Sequence, residues 1–215
     1  MNHILCLDID GVLHPSDCKV LLDFNAPAWL LATQARTQGL LGWTDQLNQC
    51  LQGSDVRLLV HSTWRRRASD RALQELLGPE LGGRIIVTDA WISPQDRVNM
   101  SHAAYISSVL EIASEQSLGK QAAEGGVEGD VEGEGTARHA YSVCILDDRP
   151  ALFDEDRPLL DAWAPLFVWT DGGVGISDSR IQAHLAQWVH KSHQEPHQES
   201  GVSDHDQAPV SGPSL

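Results

Sequence analysis

The sequence predicts an α/β fold in which a parallel sheet carries helices on both faces. Short apolar runs alternate along the chain with amphipathic segments, an order typical of parallel sheets. Several runs are apolar at consecutive positions, as in strands that are buried on both faces. Two of these runs end in pairs of acidic residues, and the carboxyl ends of strands are where such sheets bind their ligands.

This alternation gives the expected elements in order. We predict strands at residues 3–8, 56–61, 85–88, 142–147 and 166–169. We predict helices at residues 43–52, 67–77, 102–117 and 178–190. The last helix has Ile181, Leu185 and Trp188 on one face, so we expect it to cover the sheet.

The first strand ends in two carboxylates. Asp8 and Asp10 close the apolar run, and Gly11 lets the chain turn sharply after them. Two carboxylates at this edge would repel each other unless a cation lay between them or one of them were protonated. A calcium loop of the EF-hand type is excluded, because residues 12–14, where that loop needs further oxygen ligands, are Val, Leu and His.

The strand at 142–147 ends in a second acidic pair, Asp147 and Asp148. A single Asp-x-Asp-Gly motif is often only a turn. Two apolar runs that both end in acidic pairs are hard to explain by structure alone, and they indicate a shared site at one edge of the sheet.

The strand at 56–61 is followed by two hydroxyl side chains, Ser62 and Thr63, and then by arginines at 65–67. Ser62 could donate a hydrogen bond to a phosphate oxygen, or it could cap the helix that follows. Both roles can hold together, because a helix N-terminus is itself an anion site. The arginines could face a substrate or could simply begin a solvated helix.

These motifs resemble the signature of the haloacid dehalogenase (HAD) superfamily of phosphohydrolases. Residues 8–12 (Asp-Ile-Asp-Gly-Val) are similar to its first motif, the strand that ends in Ser62 to its second, and residues 146–148 (Leu-Asp-Asp) to its fourth. The stretches at 62–65 and 170–175 resemble a poorly characterised bacterial branch that has relatives among nucleic-acid repair proteins.

The resemblance spans roughly residues 3–190 and implies a Rossmann-like fold with little or no cap domain. The segments at 11–55 and 64–96 are too short for a large cap, and residues 15–38 would form only a short flap.

The resemblance also implies a mechanism. Asp8 would be the nucleophile that forms an aspartyl-phosphate, and Asp10 would be the general acid and base, a task that a raised pKa would suit. Magnesium would bind Asp8, the backbone carbonyl of Asp10 and the acidic pair, with Asp148 favoured over Asp147 as the direct ligand.

The substrate phosphate would be held by Ser62, Thr63 and a basic residue that precedes the acidic pair. Arg97 is our choice for that residue, and Arg84 is the alternative. The neighbouring Trp64 could stack on a base, although a core or flap position is the interpretation that we favour.

The composition divides the chain into a catalytic domain at 1–190 and a tail at 191–215. Part of the negative charge lies in the tail and in a loop within the domain. The Gly- and Glu-rich loop at 119–138 holds five acidic and two basic residues, and the tail holds four and one. We expect both segments to be disordered, since they have little apolar surface to bury. Of the formal charge of −15, the remainder carries −9, so no strong general nucleic-acid binding is expected.

No segment reaches the ~20 apolar residues of a membrane span, and no basic stretch precedes the first apolar run as in a signal peptide. The four cysteines show no Cys-x-x-Cys spacing, so a reduced, cytoplasmic chain is expected.

Together with the resemblance, the sequence predicts a magnesium-dependent phosphatase that hydrolyses a phosphate monoester on a small molecule or on a nucleic-acid end. The alternatives are phosphoryl transfer to an acceptor other than water, and a non-catalytic binding module of the same fold.

Overall fold

The computed structural model describes residues 2–18, 22–124 and 141–194. Its centre is a four-stranded parallel sheet in the order β2-β1-β3-β4. The strands are β1 (Asn2–Leu7), β2 (Arg57–Val60), β3 (Tyr141–Asp147) and β4 (Leu166–Trp169). The predicted parallel sheet is therefore confirmed.

The register aligns the carboxyl ends of three strands. Leu7, the last residue of β1, pairs with Val60 of β2 on one side and with Leu146 of β3 on the other. The chain leaves β1 toward β2 and later returns as β3 on the opposite side of β1. This reversal makes a topological switch point between β1 and β3, where open α/β sheets form a ligand crevice.

Helices cover both faces of the sheet. They are α1 (Ala28–Thr37), α2 (Thr44–Leu51), α3 (Asp70–Gly82), α4 (Pro94–Asn99), α5 (His102–Glu124) and α6 (Ser179–Gln194). On one face, Leu5 and Leu7 of β1 share a core with side chains of α1, α2, α3 and α6. On the other face, Ile4 and Cys6 share a core with α5 and with the 3-10 helix Arg157–Trp163. Successive side chains of β1 thus pack alternately into two separate hydrophobic cores.

The strand predicted at 85–88 is wrong. Only Ile85 forms a bridge to β2, opposite Leu58. The backbone N–H groups of Thr88 and Asp89 donate instead to the carboxylate of Asp70, at the start of α3. Because this side chain takes the hydrogen bonds that a fifth strand would offer to the sheet, the segment turns away from it.

The flap predicted at 15–38 is wrong over its second half. Residues 28–37 form α1, whose Leu31, Ala32 and Ala35 are buried in the core shared with α3. Pro27 at its N-cap and Gly39 just beyond its end are recognisable boundary signals that the expectation of a flap overrode. Helix α4 was also missed, although Ser93, Pro94 and Asp96 form an ordinary helix start in which Ser93 caps the N–H of Asp96.

The other predicted helices are confirmed with shifted ends. Helix α3 begins at Asp70 after the Ser69 cap and breaks at Gly78, whose φ is 81°. Helix α5 extends to Glu124 and so takes in the first residues of the loop predicted at 119–138; residues 125–138 of that loop lie outside the described residues. Most of the tail, from residue 195, lies outside them as well.

Within the described ranges, every helix is too short or too polar to cross a bilayer. The four cysteines, Cys6, Cys18, Cys50 and Cys144, are all free thiols.

Candidate active site

The two acidic pairs predicted from the sequence meet at the switch point. Asp8 follows β1 directly and its N–H donates to the carbonyl of Leu146 in β3 at 3.0 Å. Asp147 ends β3 and Asp148 follows it. Oxygen atoms of Asp8, Asp147 and Asp148 all lie within 4.8 Å of one another, and the side chains of Asp8 and Asp147 are fully buried. The register of the sheet therefore gathers three carboxylates at one point.

Two glycines leave room for the Asp148 side chain. Gly11 has a φ of 74°, and a Cβ atom at this position would overlap the Asp148 carboxylate. A Cβ atom at Gly172 would lie 2.6 Å from Asp148 Oδ2. The turn after Asp10 and the turn before α6 therefore both need glycine to leave room for this side chain.

The three carboxylates are electrostatically crowded. Burial raises the pKa of Asp8, and hydrogen bonds from Ser62 and the Ile9 N–H, with the charge of Arg149, only partly offset it. Burial and the charge of Asp8 raise the pKa of Asp147 to about 7. Burial also raises the pKa of Asp148.

This donor set fits a hard divalent cation, since oxygen ligands are what magnesium binds and a cation would relieve the crowding. Among the described residues, Asp147 Oδ2 is buried without a hydrogen-bond partner, and Asp148 Oδ1 has no hydrogen bond but an ion pair with Arg149 at 3.3 Å. Such atoms are available as metal ligands.

A basic residue that the sequence reasoning missed faces these carboxylates. Arg149 places Nη2 at 3.3 Å from Asp8 Oδ2 and Nε at 3.3 Å from Asp148 Oδ1. The guanidinium is half-buried, so part of it stays open to a ligand. Its position directly after the acidic pair was the available signal.

Asp10 lies in a different environment from Asp8. Trp64 Nε1 donates to its carboxylate, at 3.0 Å from each oxygen, and His14 Nε2 lies 3.1 Å from Oδ1. Burial raises the pKa of Asp10, but the hydrogen bonds from His14 and Trp64 outweigh burial and leave it lowered. The shift of the Asp10 pKa is therefore opposite to the one that would suit a general acid. Trp64 is buried as a core side chain, which was the favoured interpretation, and its role as a donor to Asp10 was missed.

Ser62 is buried and caps the 3-10 helix Thr63–Arg66 by accepting from the N–H of Trp64, so the predicted cap is confirmed. Its hydroxyl also donates to Asp8. Thr63 lines an open cleft of about 490 Å³ next to Asp10. The other residues of this cleft are Ser16, Cys18, Leu22, Phe24, Trp64, Arg66 and Arg67.

Arg97 is not brought to this group. Its guanidinium is buried in an ion-pair network with Asp70 and Asp89, at 2.8 Å from each. The alternative, Arg84, donates to the carbonyls of Leu51, Ser54 and Val56 near the opposite ends of the strands. Both side chains stabilise local structure.

The three arginines at 65–67 also divide. Arg65 is buried, donates to backbone carbonyls of Arg97 and Met100, and lies 4.3 Å above the ring of Tyr105. Arg66 and Arg67 are exposed at the cleft.

Comparison with known families gives a match over most of the chain. The family described as "HAD domain in Swiss Army Knife RNA repair proteins" matches residues 4–181, a range that contains all the carboxylates described above. Searches of curated proteins and of solved structures gave no match.

Proposed function

The chain belongs to the HAD domain family found in Swiss Army Knife RNA repair proteins, and from this premise we propose that it is a magnesium-dependent phosphatase. It would hydrolyse a phosphate monoester, with a nucleic-acid end as the favoured substrate, through an aspartyl-phosphate intermediate. The observation that carries the proposal is the convergence of the buried Asp8 carboxylate with Asp147 and Asp148 at the switch point of the sheet.

Magnesium would be held by Asp8, Asp148 and the backbone carbonyl of Asp10, with Asp147 beside them. When bound, it would neutralise the carboxylates and the negative charge of the transferring phosphoryl group. Burial raises the pKa of Asp8, Asp147 and Asp148, and the charge of Asp8 adds to it at Asp147; a bound cation would favour the ionised form of all three carboxylates, which supports this assignment.

Asp8 would act as the nucleophile. The Ile9 N–H donates to its Oδ1 at 2.8 Å, which leaves Oδ2 on the side of Arg149. An Asp8 oxygen would attack phosphorus while the bond from phosphorus to the leaving oxygen breaks. Arg149 would pair with the phosphate oxygens as charge develops on them, the role that the sequence analysis gave to Arg97.

The leaving oxygen needs a proton, and the Asp10–His14 pair would supply it. Hydrogen bonds from His14 and Trp64 lower the pKa of Asp10, and a proton held between Asp10 and His14 Nε2, which lie 3.1 Å apart, would pass to the leaving oxygen. In the second step a water would pass a proton to Asp10 and attack phosphorus. The bond between phosphorus and Asp8 would then break, releasing inorganic phosphate and restoring the carboxylate.

A nucleic-acid end is the favoured substrate for two reasons. The family description refers to RNA repair proteins. The cleft beside Asp10 is open and carries two exposed cations, Arg66 and Arg67, together with the ring of Phe24. The overall negative charge opposes binding along a polynucleotide, so local contacts at a terminal phosphate would provide the affinity.

The test is release of inorganic phosphate from end-phosphorylated oligonucleotides and from small monoesters, with magnesium and with a chelator. We expect magnesium-dependent release by the wild type and a loss of at least ~10²-fold in Asp8→Asn. Asp161→Asn, at an exposed aspartate remote from the cleft, is the matched control and should keep its activity. No release from any substrate would overturn the phosphatase proposal, and a strong preference for small monoesters would overturn the nucleic-acid part alone.

A further inference from the structure

A second group of metal-binding side chains lies directly behind the carboxylates. His61 follows β2 and its N–H donates to the carbonyl of Leu7 at 3.1 Å. His102 begins α5. Both imidazoles are buried, and both face Asp147 at the end of β3. Three separate elements therefore bring two imidazoles and one carboxylate together.

The distances suit a transition-metal ion. His61 Nδ1 lies 3.1 Å from His102 Nδ1, and the two nitrogens lie 3.7 and 3.9 Å from Asp147 Oδ2. The point equidistant from these three atoms is about 2.1 Å from each, and Zn–N and Zn–O bonds are about 2.0–2.2 Å long.

A hydrogen bond between the two histidines does not explain the whole arrangement. One proton between the Nδ1 atoms would satisfy those two atoms. Asp147 Oδ1 accepts the N–H of Arg149 at 2.7 Å, but Oδ2 is fully buried and no described residue donates to it. A buried carboxylate oxygen without a partner is costly, and a cation between the three atoms would satisfy all of them.

The surroundings favour an ion softer than magnesium. The ring of Phe153 lies 5.8 Å from that of His61 and 6.1 Å from that of His102, so the group has an apolar wall. Both rings are buried, and a neutral imidazole keeps a nitrogen lone pair for a metal. Imidazole ligands suit zinc and its neighbours, whereas magnesium prefers oxygen.

We propose that His61, His102 and Asp147 form a second metal site, for a transition-metal ion of the Zn²⁺ class, behind the catalytic carboxylates. The site shares Asp147 with the proposed magnesium site but does not depend on the phosphatase reaction. A bound ion would link the carboxyl ends of β2 and β3 to the start of α5. It would leave Asp8 and Asp148 as the side-chain ligands of the catalytic ion.

The experiment titrates the metal-stripped protein, residues 1–215, with Co²⁺ and with Zn²⁺ in saturating magnesium. We expect one tightly bound equivalent, with the visible d–d absorption of four- or five-coordinate cobalt. His102→Gln should weaken this binding by at least tenfold. Asp8→Asn, which disrupts the carboxylate site, and His184→Gln, at an exposed histidine of α6, should retain it.

Two measurements keep the proposal testable if His102→Gln does not fold. X-ray absorption of the zinc-loaded wild type should show two imidazole ligands, and zinc should raise the melting temperature of both the wild type and Asp8→Asn. Loss of binding in Asp8→Asn, competition by magnesium, or full retention in a folded His102→Gln variant would overturn the second site. Each of these outcomes is independent of whether phosphate esters are hydrolysed.

Discussion

At the scale of single residues, the two aspartates of the first motif are prepared for different tasks by their neighbours. Asp8 is buried beside two further carboxylates, and Asp10 receives hydrogen bonds from Trp64 and His14. The pKa of Asp8 is raised and that of Asp10 is lowered. The sequence motif shows the two carboxylates, and His14 lies only four residues after Asp10, but Trp64 is 54 residues away in the chain and the motif carries no signal for its contact.

Trp64→Phe tests the contact with Asp10. The substitution keeps an aromatic ring in the core but removes the Nε1–H donor, so the pKa of Asp10 should rise. The limb of the pH–rate profile that reports Asp10 should therefore move to higher pH, with kcat reduced by about 10- to 150-fold, which corresponds to the ~1.5–3 kcal/mol of a hydrogen bond to a charged group. Trp163→Phe, in the other core, is the control, and an unchanged profile in Trp64→Phe would contradict the assignment.

The roles of Arg149 and Arg97 can be distinguished by measuring both kcat/KM and melting temperature in variants of each. Arg149→Gln should lower kcat/KM for phosphate esters by about 10²–10³-fold, the usual cost of losing a donor to developing charge, with little change in melting temperature. Arg97→Gln should instead destabilise the fold, because it leaves Asp70 buried without its ion-pair partner. If Arg97→Gln lowered kcat/KM by a similar factor but kept the wild-type melting temperature, the role predicted from the sequence would be restored.

At the scale of elements, the alternation of apolar runs and amphipathic segments was sufficient to predict the four strands and the ends where the carboxylates meet. Those features depend on local pattern and on the convergence of parallel strand ends. The wrong strand at 85–88 has the composition of a strand, and what decides its path is the Asp70 side chain of another element. Sequence periodicity carries no signal for that kind of contact.

We therefore expect Asp70 to stabilise the segment at residues 85–89, which lies next to β2. It accepts from the N–H groups of Thr88 and Asp89 and pairs with Arg97. Asp70→Ala should lower the free energy of unfolding by about 3–5 kcal/mol, since it leaves a buried guanidinium and two amides without this acceptor. Asp89→Ala, whose side chain is 43% exposed, should cost about 1 kcal/mol or less, and denaturant unfolding of the two variants measures the difference. Equal effects would mean that the network is not centred on Asp70.

At the scale of the whole molecule, charge and shape act against each other in substrate choice. The chain carries −15 in total, which repels a polyanion at long range. The described part of the chain holds no cap domain over the carboxylates, and the cleft beside Asp10 carries Arg66 and Arg67. We therefore expect recognition of a nucleic-acid end to depend on a few short-range contacts that a small phosphate ester does not use.

Arg66→Gln with Arg67→Gln tests this expectation. The double variant should lower kcat/KM for an end-phosphorylated oligonucleotide by about tenfold. It should also make the affinity less dependent on salt, because each lost phosphate contact reduces the slope of log affinity against log salt concentration by about 0.7 for single strands. A small phosphate monoester, measured with the same enzyme, should be hydrolysed at the wild-type rate, since neither arginine contacts the carboxylates. Arg36→Gln, at an exposed arginine of α1, makes the same unit change in charge per residue and should leave both substrates unaffected. If the double variant slowed both substrates equally, these arginines would support the site and not the polymer, and the open cleft would no longer favour a nucleic-acid end.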